Sequence, residues 1–156
     1  FNFHKNNQNY NKIIDEKLFL INLRYRLTKS NPDKLVFIEL IEKTKYLLKS
    51  CVPNKTEHHN DIDNILETEL METYIKNDVM DNKYLDDIIN IIIDKVKEYQ
   101  ASADDISLEE FRTKCNNKLL NGVFYKDFFP FFFMEILKRL EKIIEARRAL
   151  IEIINK

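Results

Sequence analysis

The chain has 156 residues, 44% of them apolar and 33% charged, with one glycine, three prolines and no tryptophan. That length suits a single domain able to bury roughly two-thirds of its unfolded surface, and the scarcity of glycine excludes a turn-rich β architecture, so an all-α domain over 1–156 is expected. Net charge is −1, but it divides into +5 for residues 1–53, −11 for 54–110 and +5 for 111–156, which is either the ordinary fluctuation of charged helix faces or a pair of basic blocks brought together for an anionic partner.

Residues 13–27 carry apolar side chains at 13, 14, 18, 20, 21, 23, 25 and 27, dense enough for a mostly buried helix. SNPD stops it, with Pro32 suited to the first turn of the next helix. That second helix, 33–51, has apolar positions at 35, 37, 38, 41, 46, 47 and 48 and ends before Pro53. The polar run NKTEHHN reads as a loop, and Asp61 or Asp63 as the cap of a third helix over 63–78. A break near Asp81 precedes a fourth helix, 82–100, whose Leu85, Ile88, Ile89, Ile92, Val96 and Tyr99 form one stripe. ASADD interrupts, Ser107 and Glu110 resemble a capping box for a helix to Leu120, and Asn121 with Gly122 ends it. The last helix is expected over 131–153, with Pro130 in its first turn.

An internal repeat is visible at a shift of 44 residues, pairing Asp61 and Ile62 with Asp105 and Ile106, Asn77 and Val79 with Asn121 and Val123, and Ile92 with Ile136. Two helix-turn-helix copies, about 61–99 and 105–143, follow, with an orthogonal or bundle-like array and a pseudo-two-fold axis as the expected packing. The register sets Phe128, Phe129, Phe132 and Phe133 on the stripe of Tyr84, Leu85, Ile88 and Ile89. These phenylalanines therefore read as core or dimer seam, while Phe131, matched to Asp87, is left for an exposed contact.

No catalytic constellation emerges. His4 stands alone, His58 and His59 are adjacent in a polar stretch, and no DxDxDG loop accompanies the carboxylates, so neither metal, cofactor nor enzymatic chemistry is expected. Cys51 and Cys115 lack CxxC spacing and read as buried thiols of a reducing compartment. No apolar run approaches the roughly 20 residues of a membrane span, so the expected location is cytoplasmic. Lys and Arg are the remaining functional material: Arg24 and Arg26 around Tyr25, Lys43, Lys45 and Lys49 on the second helix, and Lys138, Arg139, Lys142, Arg147 and Arg148 on the last. Clustered cations with aromatic neighbours suit phosphates and unpaired bases.

Heavy use of Asn, Lys, Ile and Asp is similar to proteins of AT-rich genomes such as those of malaria parasites. Together with the pseudo-repeat and the strings FNFHKNNQNYNKIIDEKLFLINLRYRL and FFPFFFMEILKRL, it resembles the gamete antigen 27/25 family. That resemblance implies an all-α pair of helical repeats, a homodimer, RNA binding and a role in early sexual differentiation of the gametocyte. The family's SH3 binding through PxxP is not implied here, because Pro32, Pro53 and Pro130 form no such motif. PNKTEHHNDIDNILETELMETYIKNDVMDNKYL also resembles part of the longer t-complex protein 11 family. Two functions are expected from this reading: RNA binding through the two basic blocks with the acidic middle facing away, or a scaffold that self-associates or recruits signalling proteins.

Overall fold

The computed structural model of the chain describes residues 17–27 and 35–155, and among them there are helices and no strands. Helix α1 covers 17–27. It is followed by α2 Val36–Cys51, α3 Thr56–Ile65, α4 Thr68–Lys76, α5 Asn82–Tyr99, a 3-10 turn Ser102–Asp104, α6 Asp105–Asn121 and α7 Tyr125–Ile154. The SNPD stop and Pro32 lie outside the described residues, as does His4. None of these helices is long and apolar enough to cross a membrane.

Sequence spacing decides most of these elements. Leu85, Ile88, Ile89, Ile92, Ile93 and Val96 are all buried along α5, and the Asp81 side chain caps the helix by accepting the Tyr84 N–H at 2.8 Å. Three boundaries differ from the sequence reading. The run expected as a loop is the start of α3, where His58 and His59 are half-buried one turn before the buried Ile62. The single helix expected over 63–78 is broken at Leu66 and Glu67, the latter extended at φ −81° and ψ 99°, and fully buried Leu66 anchors the break without glycine or proline. Helix α7 begins at Tyr125, so Pro130 lies inside it and beyond its first turn.

The expected capping box is not formed either. Helix α6 starts two residues before Ser107, whose hydroxyl donates to the Asp104 carbonyl at 3.0 Å.

The repeat register is matched by the chain breaks. Asp78 and Gly122 are 44 residues apart, and both have positive φ, 58° and 81°. Left-handed backbone lets a helix stop and the chain turn. After each turn the inward stripes coincide, from Leu85 and Phe129 to Val96 and Leu140, every pair buried.

The closest helix packings run α2 along α7 and α5 along α6, with α2 also against α3, α4 and α5. The phenylalanines of α7 sit at the crossing. Phe37 of α2 stacks on Phe129 at 5.3 Å and meets Phe133 edge-on at 6.2 Å. On the other side, Phe111 of α6 stacks on Phe132 at 5.9 Å. Burying each such ring contributes roughly 2 kcal/mol, so this cluster is the hub joining the N-terminal helices to α6.

Phe128, Phe129, Phe132 and Phe133 are thus core residues. Phe131 is not the exposed contact its partner Asp87 implied: it packs on Phe111 at 5.4 Å and lies under the Lys118 ammonium at 4.7 Å. Both cysteines are free and buried, and burial pushes each thiol up to about 12, with Arg147 opposing the rise at Cys51 and Lys118 at Cys115.

Candidate nucleic-acid interface

The fold sorts the ten predicted basic residues into two groups. Seven of them are engaged inside the fold, most of them with a neighbouring element. The Arg26 guanidinium pairs with Glu39, and Lys45 and Lys49 share Asp63 at 3.2 and 2.7 Å. Those two ammoniums, the Lys49 hydrogen bond first, hold the Asp63 carboxyl below its ordinary value. Lys43 lies over the Phe19 ring at 4.6 Å. Lys142 grips both oxygens of Asp104 at 3.0 Å. Arg147 donates to the Cys51 carbonyl at the end of α2, at 2.8 Å, and Arg139 lies 3.3 Å from Glu135 and donates to the Ser107 hydroxyl at 3.1 Å.

The acidic middle of the chain therefore does not face away from the basic ends. Asp63 and Asp104 are in contact with them, and Arg112 reaches Asp94 at 2.5 Å and Glu109 at 3.0 Å. Opposite charges on helices that pack together are drawn into short-range pairs, and that leaves less of each block for an external partner.

Two of the three that remain, Arg24 and Lys138, line a groove between α1, α6 and α7, a cavity of about 970 Å³. Its apolar floor is Leu20, Phe111, Pro130, Phe131 and Met134; Arg24, Lys114, Lys126, Lys138 and Arg139 surround it against three carboxylates, Glu110, Asp127 and Glu135. Arg24 comes from the N-terminal basic block and the other four cations from the C-terminal one, so the two blocks converge here in part. Arg148 is exposed and does not line the groove.

Lys114 and Lys126 were missed by the sequence reading, although helical spacing carries them. Lys126, Pro130, Met134 and Lys138 recur every four residues on one face of α7, and Ser107, Glu110, Phe111 and Lys114 share a face of α6. Attention to dense Lys and Arg runs passes over cations that are spread one per turn.

The groove's aromatic floor is closed to stacking, since Phe131 has Phe111 on one ring contact and Lys118 on another. A bound anion would meet cations on an apolar floor, with Tyr25, 64% exposed and next to Arg24, as the accessible ring nearby in sequence.

The two histidines serve packing. His59 Nε2 lies 2.9 Å from the Val52 carbonyl and 3.1 Å from that of Lys49, at the end of α2. His58 meets the Tyr99 ring edge-on at 5.8 Å. Among the described residues, no group of three His, Cys, Asp or Glu is arranged to hold a metal ion.

An all-α domain with a basic, apolar-floored groove is what the geometry defines. No family model, curated protein or solved structure matches the chain.

Proposed function

We propose that this domain is a cytoplasmic, non-enzymatic RNA-binding module that takes the backbone of single-stranded RNA into the groove between α1, α6 and α7. The observation that carries the reading is the state of the groove's cations: Arg24, Lys114 and Lys138 have no ion-pair partner among the described residues, whereas seven of the ten predicted basic residues are engaged internally. Phosphate oxygens would supply the missing partners, and release of condensed counterions would drive the association. Tyr25 offers a ring for one unpaired base. The resemblance to the gamete antigen 27/25 family agrees with RNA binding and would set it in gametocyte differentiation.

Replacing Arg24, Lys114 and Lys138 by Ala together tests this. A labelled single-stranded RNA should bind the variant at least about tenfold more weakly, with the slope of log K against log salt reduced by roughly 0.7 for each phosphate no longer neutralised. Lys45→Ala with Lys49→Ala should leave affinity unchanged. Native protein without affinity at low salt sinks the proposal.

A second reading, a scaffold without nucleic acid, is favoured by the end of α7, where Leu150, Ile151, Ile153 and Ile154 are all exposed. An apolar helix end of this kind suits a second copy of the chain, the homodimer that the resemblance implies, or a signalling partner. Protein that purifies with another chain and with no nucleic-acid absorbance favours that reading.

A further inference from the structure

We infer that Ser107 is a phosphorylation site whose phosphate closes the basic groove against RNA. The regulatory half rests on the RNA-binding reading, whereas the modification and the docking of the phosphate stand on the surroundings of Ser107 itself.

Ser107 is exposed in the first turn of α6, and its hydroxyl already lies among cations. It accepts from Arg139 Nη2 at 3.1 Å. The Arg139 side chain is only 15% exposed, and its Nε is buried without a hydrogen bond: Glu135 is 3.3 Å away but off the N–H direction. The guanidinium thus keeps unused donor capacity beside the hydroxyl. Lys138, Arg139 and Ser107 also line both the main groove and an adjoining cavity of about 440 Å³. The N-terminus of α6 has no side-chain cap, so its first amides add a positive end to the same place.

Two of the anions near Ser107 are neutralised. Asp104 is held by Lys142 and Glu135 by Arg139, which leaves Glu110 and Asp127 as the opposing charges in the groove wall. The acids close to Ser107 in sequence, Asp104 and Asp105 before it with Glu109 and Glu110 after it, are the context an acid-directed protein kinase reads. A 3-10 turn, Ser102–Asp104, precedes the site, and a helix end of this kind opens at low cost to give the extended segment a kinase needs.

In the modifying step the Ser107 Oγ forms a bond to the γ-phosphorus of ATP and the bond to the bridging oxygen breaks. ADP leaves, and the hydroxyl proton passes to the base of the kinase. The product carries about two negative charges and three acceptor oxygens. Bound by Arg139 and Lys138 it removes two of the groove's five cations from an external phosphate.

The test treats the full chain with an acid-directed serine kinase and ATP, maps the modified residue by mass spectrometry, and follows the phosphate by phosphorus NMR and the RNA by binding. Label is expected at Ser107 and is lost in Ser107→Ala. The phosphate should titrate at lower pH in the folded chain than in urea. Arg139→Ala should cancel that difference, and Lys138→Ala, an exposed side chain with no ion-pair partner among the described residues, should reduce it in a fold left intact. RNA affinity should fall at least about tenfold on modification, as expected when two cations are withdrawn from the RNA backbone.

Absence of label at Ser107, or a phosphate that titrates alike folded and unfolded, overturns the site. A docked phosphate with unchanged RNA affinity overturns its regulatory role. If the unmodified chain binds no RNA, the groove reading fails alone and the NMR result still decides the site.

Discussion

Arg147 and Arg148 are adjacent, equally charged, and put to different uses by the fold. Arg147 falls on the inward row of Leu140 and Ile144, and its guanidinium reaches the Cys51 carbonyl at the end of α2. A helix leaves its last carbonyls without intrahelical donors, and a charged side chain that supplies one is worth more than a surface ion pair. Arg148, one step around the helix, is exposed. Arg147→Ala is therefore expected to cost about 2 kcal/mol, read by urea unfolding, while Arg148→Ala changes stability by no more than about 0.5 kcal/mol. The sequence contained this distinction, because 140, 144 and 147 continue one stripe. Reading the two arginines as one basic patch set helical phase aside in favour of charge.

At the scale of elements, the two segments paired by the 44-residue register each turn at a residue with positive φ, Asp78 in the first and Gly122 in the second. An added Cβ at Gly122 would meet nothing within 4 Å, so its conformation and not its size is what matters. Gly122→Ala should destabilise by about 1 kcal/mol through backbone strain alone, lowering the melting temperature by roughly 3 °C; a much larger loss in a thermal scan would mean that the turn is packed more tightly. Asn121 and Gly122 made this boundary legible beforehand, as the stripe of α5 made that helix legible. The start of α3 was not legible because two histidines stand where aliphatic side chains mark an inward face. Nor was the break at Leu66, where a buried side chain redirects a chain that lacks any local breaker. Pro130 misled in a third way: a proline signals a helix start, yet Phe128 and Phe129 before it are buried in the core and carry the helix back to Tyr125.

Across the whole molecule, the +5, −11, +5 division of the chain is in large part an internal complement. Lys45 and Lys49 meet Asp63, Lys142 meets Asp104, and Arg112 meets Asp94 and Glu109, each pair joining a basic block to the acidic one. Charge blocks were visible in the sequence, but which cations stay available depends on which helices pack together, and that is set by the phenylalanine hub. The complement also fixes a response to acid. Hydrogen bonding from Lys49 leads the causes that lower the Asp63 carboxyl below 3.8; at Glu109 burial is the largest single influence and raises the carboxyl, but the hydrogen bonds and charges of Arg112 and Lys97 together outweigh it and hold the group below 4.5. A carboxyl with a lowered folded pKa holds fewer protons in the native state than in the unfolded one. Its stabilisation is complete above the unfolded value and is lost as pH falls through the folded one. Melting temperature should accordingly drop from about pH 5 to about pH 3. Asp63→Asn should melt lower than the native chain at neutral pH, where Lys45 and Lys49 lose their partner, and the two curves should converge in acid. Parallel curves across that range would mean that Asp63 contributes nothing specific, and that the blocks attract only through their summed charge.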